Sequence, residues 1–550
     1  MSAVSVKKIY IFFFILPLIL FSEEGILISG KVTGHGGKTL PLAHVHLTDA
    51  TGDYQNPLKS VEIDVNGNFK SGIQEPGIYG LFITGVNHER LLIPIIAHKD
   101  VKELKLDIRL SPLPYKEKFD AVKIIGDWNN YSYGSANVMK KEEDGTFSYE
   151  IDVVSDTVGY QLIGIIKDER SVNGTHANYF IYDGGGDYRS FLKIKPGKVK
   201  IIFDPRILIK AEIDDSSSVT FMKESYFLNT IYKLHKKVEK AKEIYMEEIY
   251  AYVEKHSDAK GFRFDWGELP GTLTTYMIEE KNNNINQFAA VQLSYLISRG
   301  VEVDSLTLER ILKIIPPDSP VWGIYPNIPG IMLSRFDEER KVKNIIKFAE
   351  GNPERLVRAY ALVNLIHNYE NENKEKFLEY YNKLKDGFSD LRSMRYHLIE
   401  YNPDKRIQIG KAVPYFEVKL IDGDEVVSNK SLLGRYYLID FWASWCNPCV
   451  REMPGLHQAY EEYKDENFII LSLSFDGAPG DIGKFREKWQ MPWLHSFINH
   501  AFESELAKTF EVAGIPKPIL VDPKGKIIAT GEILRLENLE KTLKEYIKEI

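Results

Sequence analysis

Cys446 and Cys449 are the only thiols in 550 residues, and they stand in the run Phe441-Trp442-Ala443-Ser444-Trp445-Cys446-Asn447-Pro448-Cys449. A C-x-x-C pair that follows an apolar strand and opens a helix reads as a dithiol that cycles with its disulfide. The chain holds no other cysteine for a structural disulfide. Two sulfur ligands would leave a zinc site half built, since such sites take four. The expectation is a redox pair with no metal and no cofactor. Two incidental core cysteines are the competing reading, and the pattern fits a redox motif too closely for it.

The rest of the chain must hold and present that pair. Its length suggests about three to five domains. With 44% hydrophobic and 27% charged residues the composition is globular, and the net charge of −8 is mild. No Lys/Arg block reads as a nucleic-acid footprint, so no nucleic-acid partner is expected. Lys7 and Lys8 precede an apolar run from Ile9 to Phe21, followed by Ser22, Glu23 and Glu24. A basic n-region, a short apolar h-region and a polar exit predict a secretory signal peptide over 1–22. The run falls short of the roughly 20 residues a spanning helix needs. An uncleaved anchor is the alternative, because Leu20 is larger than the usual small residue before a cleavage site. An exported chain with one C-x-x-C and no structural disulfide suits a periplasmic or cell-envelope redox protein.

Three segments lie ahead of the redox motif. Over 23–112, Ile26–Val32 and His44–Thr48 are β-rich, and Asn66-Gly67-Asn68 is a hairpin signal. Gly30-Lys31-Val32, Leu40-Pro41-Leu42-Ala43-His44-Val45, Asp64–Phe69 and Pro76-Gly77-Ile78-Tyr79 make this stretch resemble the transthyretin-like, carboxypeptidase-regulatory β-sandwiches. His35, His44 and His46 read as satisfied strand histidines rather than metal ligands. Over 115–207, Ile124–Asn130 and Met139–Phe147 resemble the early-set sandwiches related to glycogen-binding modules. Trp128, with Tyr131 and Tyr133, would there contact carbohydrate; a core role for the aromatics is the favoured reading. Over 215–405 the period turns helical, with Leu356, Tyr360, Val363 and Leu365 on one helix and Phe377, Tyr380, Tyr381 and Leu384 on the next. A bundle or solenoid of helix pairs is expected.

From 408 to 550 the elements alternate. Tyr436–Phe441 and Phe468–Ser474 read as buried strands, Lys484–Gln490 as a crossover helix, and Pro518–Asp522 with Lys526–Thr530 as a strand pair. Three motifs stand out: Phe441-Trp442-Ala443-Ser444-Trp445-Cys446-x-Pro448-Cys449-x-x-Glu452-x-Pro454, then Gly514-Ile515-Pro516, then Val521-Asp522-Pro523-x-Gly525. Together they closely resemble the TlpA/ResA-like branch of the thioredoxin superfamily. The fold expected for the whole chain is multidomain, with two N-terminal β-sandwiches, a central all-α domain and a C-terminal α/β thioredoxin fold.

The resemblance implies roles for individual residues. Cys446, at the helix start, is the attacking nucleophile, since unpaired N–H groups and the helix dipole favour a negative sulfur. Cys449, one turn deeper, resolves the mixed disulfide by attacking the Cys446 sulfur. Pro448 presets the first turn. Pro516 after Ile515 matches the family's cis-proline, whose loop pairs with an extended substrate segment. Trp445, Pro448, Ile515 and Pro516 form the expected substrate-binding set. Lys517-Pro518 replaces the family's small hydroxyl residues and adds a cation. Asp440 and Glu452 are the candidates for moving the Cys449 proton, provided they are buried.

The resulting expectation is an exported thiol-disulfide oxidoreductase that reduces disulfides in extracytoplasmic proteins. In this family a membrane thiol donor of the DsbD/CcdA kind recharges the pair. With no His between the cysteines, the centre is expected on the reducing side of the scale, nearer thioredoxin's roughly −270 mV than DsbA's roughly −120 mV. The alternatives are a disulfide oxidase or isomerase, and an envelope binding or scaffold protein whose redox domain serves one bound partner.

Overall fold

The structure is a computed structural model, and it describes residues 25–97, 101–168, 170–209, 216–222, 225–256 and 259–547. The apolar run at 9–21, and with it the signal-peptide reading, lies outside those residues. No helix among the described residues is long and apolar enough to cross a membrane.

The N-terminal part is rich in strands, and residues 26–109 with 218–221 build two four-stranded sheets. In one, Ile26–Thr33 lies between Glu103–Arg109 and Asn68–Ile73, and Ser218–Phe221 adds to the far edge. The other runs Lys59–Glu62, Ala43–Thr48, Gly77–Gly85, His88–Ala97. Asn66-Gly67 does form a tight turn, with Gly67 at φ 84° and its N–H on the Asp64 carbonyl at 2.9 Å. It is not a hairpin, however. The strand before it pairs with Ala43–Thr48 and the strand after it with Ile26–Thr33, so the turn carries the chain from one sheet to the other. Phe69, Ser71 and Ile73 are buried on the far side, and that burial outweighs local pairing.

A second β region follows, with a five-stranded sheet (Tyr179–Tyr182, Tyr188–Lys193, Thr157–Ile163, Lys123–Gly126, Asn137–Val138) and a three-stranded one (Lys140–Lys141, Phe147–Val153, Gly197–Phe203). Ile124, Tyr160, Leu162, Phe147 and Phe203 close a core between them.

The middle of the chain is helical, from Tyr226–His256 to Arg395–Glu400. Leu228, Ile231, Leu234 and Val238 of the first helix are buried in the same apolar cluster as Ile93 and Ile95 of the first β region, so helices and sheet share one core. Asn373 caps the helix Lys374–Phe388 by accepting the Lys376 N–H at 3.0 Å. Asn352 accepts the Glu354 N–H at 2.9 Å just ahead of the helix Arg355–Tyr369.

The C-terminal region has its own core. A short hairpin, β1 (Glu417–Lys419) and β2 (Val426–Ser428), turns at Gly423 with φ 105°. Then come β3 (Tyr436–Trp442), α1 (Asn447–Tyr463), β4 (Phe468–Ser474), α2 (Pro479–Trp489), β5 (Leu494–Phe497), α3 (Glu505–Thr509), β6 (Lys517–Val521), β7 (Ile527–Thr530) and α4 (Glu537–Tyr546). The sheet order is β5-β4-β3-β6-β7. β3 runs parallel to β4 and antiparallel to β6, which places Asp440 opposite Ser472 on one side and Pro518 on the other. Tyr437 to Trp442 are all buried, as a central strand flanked on both edges and covered on both faces requires. The site thus grows out of the C-terminal end of β3, a central and buried strand of the domain.

Candidate active site

β3 delivers the chain to the loop 443–446, and α1 begins directly after it. Cys446 is the N-cap of α1. Its Sγ accepts the Cys449 backbone N–H at 3.2 Å, and its carbonyl accepts the Val450 N–H at 3.0 Å. A sulfur at this position faces the unpaired amides and the positive end of a helix 17 residues long, the arrangement that stabilises negative charge. Cys446 and Cys449 are joined by a disulfide, S–S 2.03 Å, with Cα atoms 5.2 Å apart. Cys446 is 5% exposed and Cys449 2%. Pro448 occupies the first turn of α1, and Trp445 beside the pair is 57% exposed. Pro454 lies inside α1 without ending it.

The two carboxylates named from sequence are both buried. Asp440, 3% exposed, sits within β3. Burial pushes its carboxyl up to about 7; the neighbouring Glu452 adds to the rise, and a 3.4 Å hydrogen bond from the Ser472 hydroxyl opposes it. Ser472 in turn accepts the Trp493 indole N–H at 2.9 Å. Glu452, 7% exposed, is three residues beyond Cys449 on α1. Burial raises its carboxyl above the ordinary range, even though Arg535 pulls the other way through an ion pair at 2.5 Å. The charge on Glu452 thus helps to keep Asp440 protonated.

The Ile515–Pro516 peptide is cis. Gly514, Ile515, Pro516 and Lys517 line a cleft of about 440 Å³ together with Tyr396, Ile399 and Glu400 of the helix Arg395–Glu400 from the middle of the chain. Lys517 lies at the start of β6, paired with Phe441 of β3.

Three supporting residues carry no motif of their own. Asp476, 4% exposed, accepts the Ser444 N–H at 3.0 Å and the Ser444 hydroxyl at 2.6 Å through one oxygen, and the Ser474 hydroxyl at 2.7 Å through the other. It therefore pins the loop that ends at Cys446. Its sequence signal is faint: an acid just past a parallel strand, on the edge where functional loops of such sheets gather. Arg535 and Ser472 complete the surroundings of the two carboxylates, and only the fold brings them there. Trp128, in the second β region, stacks on Tyr149 with ring centres 5.4 Å apart and donates its indole N–H to Asn137 at 2.9 Å.

This geometry can hold a sulfur as thiolate, shield a second sulfur, and give or take a proton near neutral pH. Comparison with known proteins agrees with that chemistry. Residues 434–527 match a thioredoxin-like family. The thiol-disulfide oxidoreductase ResA of Bacillus cereus is 27% identical over 150 residues, 27% of this chain and 83% of that protein. The ResA of Oceanobacillus iheyensis is 29% identical over 147 residues, 26% of this chain and 74% of that protein. A solved thioredoxin domain of a thiol-disulfide oxidoreductase from Bacteroides vulgatus is 30% identical over 26% of this chain and 99% of its own length, with a TM-score of 0.24. Residues 434–527 thus carry a thioredoxin-like domain, and the C-terminal part of the chain is similar in sequence to the ResA thiol-disulfide oxidoreductases.

Proposed function

We propose that the chain is an exported reductase of disulfides in extracytoplasmic proteins. The observation that carries this reading is the Cys446 sulfur at the N-terminus of α1, with the Cys449 amide 3.2 Å away. In the reduced enzyme the Cys446 thiolate attacks one sulfur of a substrate disulfide. A Cys446–substrate disulfide forms, the substrate S–S bond breaks, and the departing substrate thiolate takes up a proton. Cys449 then gives its proton to the Asp440/Glu452 pair and attacks the Cys446 sulfur. That step releases the second substrate thiol and leaves the Cys446–Cys449 disulfide seen here. Two electrons have passed to the substrate. The oxidised pair must be recharged by another dithiol, and a membrane donor of the DsbD/CcdA kind suits an exported enzyme. The basic and apolar residues at 7–21 support export.

The test is the equilibrium potential of the Cys446–Cys449 pair in the full chain, titrated against dithiothreitol and glutathione buffers. A value at or below about −230 mV supports reduction. A value between about −120 and −180 mV, where strong oxidants and isomerases sit, would reverse the direction of electron flow.

A further inference from the structure

The cleft beside the cis-proline loop is not made by the redox domain alone. Tyr396 and Ile399 of the helix Arg395–Glu400 line it together with Gly514, Ile515, Pro516 and Lys517. Tyr396 is 54% exposed there, an aromatic surface of the kind that anchors peptide segments. The helix is held in place. Arg395 pairs with Glu503 at 2.7 Å, and the buried Glu511 carboxylate accepts the backbone N–H groups of Arg406 and Ile407 at 3.1 and 3.2 Å. The cleft is thus bounded by a helix that Arg395 ties to the redox domain. At about 440 Å³ it falls within the size range of ligand sites.

The slot has a chemical preference. Most of its charges already have partners. Lys405 pairs with Glu400 at 3.1 Å, Arg535 pairs with Glu452 and Glu532, and Glu511 is occupied by the Arg406–Ile407 amides. The Lys517 ammonium donates only to the Glu511 backbone carbonyl, and among the described residues no carboxylate lies within the 4.0 Å of an ion pair. The Gly514 and Ile515 N–H groups donate to no described residue, and open space lies around Gly514. Free amides on a loop call for an extended strand, which pairs with them through its carbonyls.

We propose that this cleft is a substrate subsite built by two domains, in which Tyr396 and Ile399 hold an extended segment of the substrate against the cis-proline loop and Lys517 pairs with a carboxylate on that segment. The proposal rests on the reductase reading above and adds to it a substrate class: disulfides flanked by acidic residues on an extended strand. It also gives the helical region a task in selection. Burial lowers the Lys517 ammonium to about 8, while Glu511 and Glu400 favour its charge and Lys405 opposes it. Lys517 is then cationic at neutral pH and becomes neutral as pH rises past 8, so preference for acidic substrates fades in alkali.

Two oxidised peptides of equal length test this, one with glutamates and one with lysines beside the cysteines, reduced by the full chain. At pH 7 the acidic peptide should have the higher kcat/KM by about tenfold, the scale of one partly buried charge pair. The ratio should fall toward one at pH 9.5 and in Lys517→Met. In Tyr396→Ala, KM should rise for both peptides while their ratio stays. Equal rates for the two peptides in the unaltered chain, or an unchanged ratio in Lys517→Met, would overturn the charge assignment. An unchanged KM in Tyr396→Ala would overturn the role of the helix. If neither peptide is reduced, the reductase reading itself fails, which is a separate outcome.

Discussion

Arg535 reaches Glu452 across 83 residues of sequence, its Nε 2.5 Å from Oε1, while its Nη1 holds the exposed Glu532 at 2.6 Å. One guanidinium thus joins a buried carboxylate, one turn beyond Cys449, to a solvent-facing one. Burial drives Glu452 toward its neutral form and Arg535 opposes that. Asp440, Glu532 and Arg451 are the other charged groups acting in this cluster. In Arg535→Gln the Glu452 carboxyl should move further up, so less of it is ionised at pH 7 to accept the Cys449 proton. Release of substrate from the mixed disulfide should slow by about tenfold at pH 7 and recover at higher pH. Arg535→Lys should restore part of the rate. Single-turnover reduction measured from pH 5 to 9 checks this; a slower rate with an unshifted pH profile would assign Arg535 to structure alone.

Asp440 makes stability depend on pH with a definite sign. In the folded chain its carboxyl releases its proton at about 7, well above the 3.8 of an ordinary aspartate. Between those values the folded state binds more protons than the unfolded state, so stability falls as pH rises from about 4 to about 7. Asp440→Asn removes this dependence. The variant should match the parent at pH 4 and exceed it at pH 8, with a ceiling on the order of 4 kcal/mol. Hydrogen exchange of β3 amides at the two pH values reads the difference where Asp440 sits.

The order of attack distinguishes the two cysteines. Cys449→Ser leaves the nucleophile intact and removes the resolving sulfur, so it should accumulate mixed disulfides that run as high-mass species on non-reducing gels. Cys446→Ser should accumulate none and lose at least about a thousandfold in disulfide reduction, since the remaining sulfur lies inside α1 and not at its N-cap, where a thiolate is stabilised. Equal trapping by both variants would contradict the assignment.

Asp476 should matter to both stability and rate. In Asp476→Ala the Ser444 N–H and the Ser444 and Ser474 hydroxyls lose their acceptor. Removing a buried carboxylate that takes three hydrogen bonds should cost about 2–4 kcal/mol. The loop 443–446 should loosen with it, lowering the rate of attack by Cys446. Denaturant unfolding gives the first number, and exchange protection at Ser444 reports the second effect directly.

Much of the redox domain is legible along the chain because its signals are local. A buried central strand must be a continuous apolar run, a helix start needs its cap and first-turn proline, and the C-x-x-C spacing places both sulfurs on one turn. Those features are written within single segments, and so the strand Tyr436–Phe441, Cys446, Pro448 and Cys449 could be placed without coordinates. The Asn66-Gly67 turn marks the limit: its backbone is local, but which strands it joins depends on where Phe69 and Ile73 find a core.

What the sequence by itself determined is the chemistry: two cysteines, two acids that burial would perturb, and an X-Pro loop matching a redox family. Tertiary structure decided what acts on them. It buried Asp440 and Glu452, brought Arg535 to Glu452 and Asp476 to the Ser444 loop, and lined the cis-proline cleft with Tyr396 and Ile399. Each of these is a contact between residues far apart in the chain. Desolvation and ion pairing depend on distance in space, and no spacing in sequence encodes it.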